Sequence, residues 1–144
     1  LLITGKFGPR LRLGKIFTDL PLELSTPAKS GVTQFCEQCQ LCVEACPPKA
    51  IDPGPRTCKA HSVSSLIGVK KWTTHAEKCF AFWANQNSDC SICIRACPYN
   101  RDFSRWLNRL WFRLAGSRLR WLALWLDVPF VRRERVRSSH GRRE

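Results

Sequence analysis

Hydrophobic positions recur with helical spacing beyond Arg101. Phe103, Trp106, Leu107, Leu110, Trp111 and Leu114 fall three and four apart, while Arg105, Arg109 and Arg113 gather on another face, so the stretch predicts an amphipathic helix. Gly116-Ser117 interrupts it, and Leu119, Leu122, Ala123 and Leu126 open a second set that stops before Pro129. At the other end, residues 1–4 and 10–17 read as two short strands joined by the turn-forming run Gly5-Lys6-Phe7-Gly8-Pro9. Thr18-Asp19-Leu20-Pro21-Leu22 leaves that hairpin, and the polar stretch 25–31, with Pro27 and Gly31, reads as a linker. The organisation this implies is residues 1–24, a cysteine-bearing region at 25–101, a helical extension at 102–127 and a basic tail at 128–144 expected to be disordered.

Between these elements lie two cysteine runs that each end in proline: Cys36-x2-Cys39-x2-Cys42-x3-Cys46-Pro47 and Cys79-x10-Cys90-x2-Cys93-x3-Cys97-Pro98. Three closely spaced thiolates can wrap one iron-sulfur cubane, and in two-cluster ferredoxins the fourth cysteine of each run serves the other cluster. The ligand sets predicted are Cys36, Cys39, Cys42 and Cys97 for one [4Fe-4S] cluster and Cys79, Cys90, Cys93 and Cys46 for the second. Disulfides would not require two matching Cys-Pro runs, and structural zinc takes its ligands in pairs rather than as a triplet plus one. Cys58, the ninth cysteine, has no vertex left to fill and reads as an ordinary thiol; His61 and His75 are likewise set aside as ligands. Trp72, Phe80, Phe82 and Trp83 flank Cys79 and are expected to shield the second cluster from water.

Charge changes the picture little. The formal net charge is +13, of which +8 comes from Arg101 onward, where twelve arginines face four acidic residues. Such a surface attracts anions without choosing among them. Nucleic-acid binding is not expected, because the aromatics near these arginines follow helix-face spacing rather than a recognised module. The C-terminal helices are too charged to span a bilayer, and packing against protein is favoured over contact with a membrane surface. Gly5-Lys6 lacks the glycine spacing of a phosphate loop. No methionine is present, and the chain opens within an apolar run, so a fragment of a longer protein is expected. Thiolate-bound clusters favour a reducing compartment, here the cytoplasm, while membrane association or export of a longer form stays open.

The non-cysteine positions carry a resemblance. Gly8-Pro9-Arg10-Leu11-Arg12-Leu13-Gly14-Lys15, Thr18-Asp19-Leu20-Pro21-Leu22, Phe35-Cys36, the Cys-Pro-Pro-Lys-Ala-Ile stretch from Cys46, His61-Ser62-Val63-Ser64-Ser65, Lys71-Trp72 and Cys79 with Phe82-Trp83 resemble the C-terminal part of corrinoid reductive dehalogenases. The resemblance implies an α+β chain: a β-hairpin remnant of a cobalamin-binding domain at 1–24, a ferredoxin-like double-cluster domain, and amphipathic C-terminal helices. It also implies a function in which the clusters feed single electrons to a cobalamin that removes halogen from an organohalide, with a reduced ferredoxin, flavodoxin or reductase as donor. The family's large cobalamin- and substrate-binding region and its proton donor are absent from this sequence, and the tail after Asp127 has no family counterpart. The chain alone is therefore not expected to dehalogenate. Epoxyqueuosine reductases share the layout of a cobalamin domain before two clusters, and a stand-alone ferredoxin-like carrier is the rival from another class.

Overall fold

A computed structural model describes residues 2–24, 26, 30–60 and 63–127. The expectation for 128–144 and the position of His61 lie outside the described residues. The fold is mostly helical with little strand. Five helices have defined bounds: α1 (Val32–Cys39), α2 (Leu41–Glu44), α3 (Ala76–Gln86), α4 (Ile92–Ala96) and α5 (Trp106–Gly116). Residues 120–127 are also helical.

The expected N-terminal hairpin is not formed. Among the described residues pairing is confined to isolated bridges, Thr4 with Gly8, Ile51 with Thr74 and Thr57 with Lys71. Thr4 and Gly8 exchange both backbone hydrogen bonds, at 3.0 and 2.9 Å, and so close a tight loop that leaves residues 10–17 without a partner strand. Two-stranded ribbons are marginal in water even when paired. Residues 10–19 accordingly have no regular structure, and Ile16 and Phe17 stand 91% and 95% exposed. Gly8 and Pro9 are buried instead; a side chain on Gly8 would run into the carbonyl of Tyr99. The two remaining bridges tie 51–57 to 71–74 across the segment between the cysteine runs, and Thr73 is sealed between them, its hydroxyl donating to the Lys59 carbonyl at 3.2 Å.

The core sits where α1 packs on α5. Phe35, Cys97, Tyr99, Phe103, Trp111, Ala115 and Ala123 form one buried cluster. Its centre is aromatic: Phe35, Tyr99 and Trp111 meet edge to face at centroid distances of 5.2 to 5.5 Å, and Phe112 extends the set to Tyr99 and Phe103. Edge-to-face contacts place the positive ring rim on the negative ring face and add about 0.5–1.5 kcal/mol per pair beyond burial. The segment after Arg101 thus shares a core with the cysteine-bearing region. The side of α5 that faces inward is narrower than its sequence suggested: Trp111 and Ala115 are buried, but Trp106, Leu107 and Leu110 are exposed. Residues 120–127 are held by the Trp111 indole, which donates to the Ala123 carbonyl at 3.3 Å. The pairing of the Arg101 guanidinium with the Asp127 carboxylate adds a second tie; Arg101 also stacks 4.3 Å from the Trp111 ring centroid and donates to the Pro98 carbonyl.

Candidate metal centres

The two Cys-Pro runs fold alike. Gln40, between Cys39 and Cys42, has φ 45° and ψ 15°; Ser91, between Cys90 and Cys93, has φ 47° and ψ 14°. Both residues are left-handed, a conformation that costs an L-residue roughly 1–2 kcal/mol. Each reverses the chain and starts a short helix. The Gln40 carbonyl then accepts from the amides of Val43 and Glu44 at 2.9 and 3.1 Å, and the Ser91 carbonyl from those of Ile94 and Arg95 at 3.1 and 3.0 Å. One turn later the amides of Cys46 and Cys97 bond to Val43 and Ile94. The preceding alanines, Ala45 and Ala96, are buried, as are Cys46 and Cys97 themselves, and α2 packs on α4. The Gln40 side chain also clamps the intervening loop, accepting from the Gly54 amide at 2.9 Å and donating to its carbonyl at 3.2 Å.

Burial and neighbouring thiols together raise several of these sulfurs. Burial pushes the Cys36 thiol up to about 12, with Cys97 and Cys42 adding to the effect. Cys39 is also pushed up to about 12, by burial first; the Leu41 amide opposes the shift, while Cys36, Cys97 and Cys42 reinforce it. Cys79 is raised by desolvation and then by Cys46 and Cys90. Cys93 is raised by burial and then by Cys42 and Cys46. Cys97 thus acts on Cys36 and Cys39 of the first run, while Cys46 acts on Cys42 of its own run and on Cys79 and Cys93 of the second. Among the described residues no three His, Cys, Asp or Glu side chains are placed to hold one metal ion.

Backbone amides reach these sulfurs. The Ala50 amide donates to Cys46 Sγ at 3.2 Å, and the amides of Leu41, Val43 and Ile94 bond to the sulfurs of Cys39, Cys42 and Cys93. Such donors stabilise thiolate once iron has displaced the proton. Because Cys36 and Cys39 hold their protons tightly without metal, assembly expels protons. The yield of iron-loaded chain at fixed iron and sulfide is expected to fall as the solution is made more acidic, read from the cluster absorbance in the visible.

The residues set aside have other places. Cys58 is exposed. His75 caps α3 through its backbone, and its Nε2 lies 2.8 Å from the Asp52 carboxylate. The aromatic shell expected around Cys79 is incomplete: Phe82 is half-buried, but Phe80 is 69% and Trp83 41% exposed. A helix advances about 100° per residue, so one that turns Cys79 inward carries Phe80 outward. Trp72 instead bonds through its indole to the Gly54 carbonyl at 2.7 Å, beneath the Arg56 guanidinium. Tyr99, buried beside Cys97, was not singled out from the sequence, and the only signal for it there is its place two residues after the last ligand.

Residues 35–100 match the family of 4Fe-4S double cluster binding domains. This part of the chain is a double-cluster domain. Its cofactors are two [4Fe-4S] clusters, and the expected resemblance to reductive dehalogenases holds. The chain is 40% identical over 99 residues to the tetrachloroethene reductive dehalogenase of Sulfurospirillum multivorans, covering 69% of this chain and 20% of that protein. It is 44% identical over 108 residues to the tetrachloroethene reductive dehalogenase of Desulfitobacterium hafniense, 70% of this chain and 19% of the relative. The epoxyqueuosine reductase of Listeria monocytogenes is 33% identical over 105 residues, 70% of this chain and 25% of the reductase. The chain around the double-cluster domain thus spans about a fifth of the length of the dehalogenases it matches.

Proposed function

We propose that this chain is the electron-relay part of a reductive dehalogenase. Cys36, Cys39, Cys42 and Cys97 would hold one cluster and Cys79, Cys90, Cys93 and Cys46 the other. What supports the ligand assignment is the pair of matching Cys-Pro runs, whose helices α2 and α4 pack on one another and bury both Cys46 and Cys97, together with the influence of Cys97 on Cys36 and Cys39. When bound, the clusters supply one-electron storage and transfer, and a cobalamin in a region outside this chain supplies the metal that takes halogen from an organohalide. The chain's own contribution would be to hold the two cysteine runs together through the packing of α2 on α4, to donate backbone amides to cysteine sulfurs and to keep water from Cys46 and Cys97. Electrons would come from a reduced ferredoxin, flavodoxin or reductase in the cytoplasm. Among the described residues no helix is long and apolar enough to cross a membrane. Residues 1–24 are read as the end of the cobalamin domain and 102–127 as an extension of the double-cluster domain.

The similarity to an epoxyqueuosine reductase supports a second reading, in which the same relay serves that reduction. A direct test joins this chain to the upstream region of the Sulfurospirillum multivorans enzyme, loads iron, sulfide and cobalamin anaerobically, and supplies a strong reductant with tetrachloroethene. Chloride release by the joined protein, with none from the loaded chain alone above free cobalamin and reductant, is the expected result. Halide release by the isolated chain would overturn the relay reading. Epoxyqueuosine turnover by the protein encoded with its own upstream segment, without dehalogenation, would favour the reductase.

A further inference from the structure

Tyr99 is the one tyrosine of the chain, and it is 1% exposed. Its ring is fixed by the edges or faces of Phe35, Trp111 and Phe112 at centroid distances of 5.2, 5.2 and 5.6 Å. Its hydroxyl is buried and has no hydrogen-bond partner among the described residues. A phenol is ordinarily bonded when buried, because leaving that group dry and unpaired costs about 1–3 kcal/mol. Phenylalanine would fill the same space without the cost. Tyr99 shares its core with Cys97, and Cys39 packs against that core. The charges that act on the hydroxyl are those of Cys36, Cys97 and Cys39, with Arg120 acting in the opposite sense. Among the described residues, an unpartnered phenol donor thus sits in the same core as Cys97, with Cys39 packed against that core.

We propose that the Tyr99 hydroxyl donates a hydrogen bond to a sulfur of the cluster held by Cys36, Cys39, Cys42 and Cys97, and so raises that cluster's reduction potential above its intrinsic value. This rests on the ligand assignment proposed above. Reduction adds negative charge to the cluster, and a donor aimed at sulfur stabilises the more negative state. The effect is expected at one cluster, because the core that holds Tyr99 contains Cys97 and packs against Cys39, both assigned to that cluster. Tyr99 is in this sense a tuning residue rather than a ligand, and it sets the relative potentials of the two clusters.

The test uses the full chain, loaded anaerobically and titrated electrochemically under electron paramagnetic resonance. Tyr99→Phe should keep the same iron content and move the midpoint of one cluster to more negative potential, leaving the other in place. The shifted signal should be the one lost in Cys36→Ala. Because Tyr99 is the sole tyrosine, growth on 3-fluorotyrosine labels this position alone. The fluorinated phenol is the stronger donor and should move the same midpoint the opposite way, which a purely packing role would not do; this arm also decides the matter if Tyr99→Phe loads poorly. Full iron with neither midpoint moved overturns the proposal, as does a shift of the cluster lost in Cys90→Ala or a fluorotyrosine shift of the same sign as that of phenylalanine. An unaltered chain that binds one cluster instead of two overturns the ligand assignment itself, a result separate from any shift.

Discussion

Cys97→Ala is expected to destroy the cluster of Cys36, Cys39 and Cys42 and to spare that of its sequence neighbours Cys90 and Cys93. The unaltered chain should bind about eight irons, four per cubane, and each of the variants Cys97→Ala and Cys46→Ala about four. The argument is one of position. Cys97 follows Cys93 by four residues, but α4 ends between them and the chain turns to extended geometry at Cys97, with φ −69° and ψ 126°. Cys97 lies in the core with Phe35, where Cys36 and Cys39 feel it. Cys97 is also buried, so water has poor access to replace the lost thiolate. Cys46→Ala should give the mirror result, loss of the cluster of Cys79, Cys90 and Cys93. Resonance spectra of the reduced variants decide the matter, since Cys97→Ala should match Cys36→Ala, and Cys46→Ala should match Cys90→Ala. If Cys97→Ala matched Cys90→Ala, the crossed assignment would fail. Cys58→Ser, at an exposed thiol, should leave both signals and the iron content intact.

The cysteine runs were legible because cluster chemistry dictates local spacing: two-residue gaps and a terminal Cys-Pro are visible without any fold. The left-handed turns at Gln40 and Ser91 were not singled out, since neither residue type announces a positive φ, although their matching places in the two runs locate them afterwards. Strand and helix readings divided on a different ground. The apolar spacing from Phe103 to Leu114 is a property of one segment and it did yield a helix, α5; the choice of Trp111 and Ala115 over Trp106 and Leu110 as the inward side was made by Phe35 and Tyr99, distant in sequence. Residues 10–17 show why a strand is less legible than a helix. Its hydrogen bonds belong to a partner, and here Thr4 spends its own on Gly8. The Phe35, Tyr99 and Trp111 centre is wholly non-local, so no window of the sequence contains it.

Gly31→Ala is expected to be a severely damaging single-methyl change at a position that is not a ligand. Gly31 is the residue before α1, with φ 70° and ψ 0°, a left-handed conformation that costs alanine roughly 1–2 kcal/mol. Space is the larger difficulty. A methyl there would lie 2.2 Å from the Gly116 carbonyl oxygen and 2.6 Å from its Cα, at the end of α5. Gly116 is held from the other side as well, for a methyl on it would meet the Ser30 carbonyl at 2.6 Å. The obstacles are backbone, so no side chain can swing aside, and α1 must move off α5. Overpacking of this kind typically costs a further 1–3 kcal/mol, roughly, which gives about 2–5 kcal/mol against the 5–15 kcal/mol or so that holds an ordinary domain together. The displaced helix carries Phe35 away from Trp111, now 5.5 Å between centroids, and loosens the wall beside Cys36 and Cys39. The thermal midpoint of the iron-loaded chain should fall by on the order of 10 °C, and the cluster of the first run should bleach before that of the second. Gly54→Ala provides the comparison: its φ is +81°, yet nothing lies within 4 Å of the added carbon, so it carries the conformational cost without the clash. The difference between the two melting midpoints therefore measures the backbone contact of Gly31 with Gly116, and equal midpoints would mean that α1 and α5 are not held in that close approach.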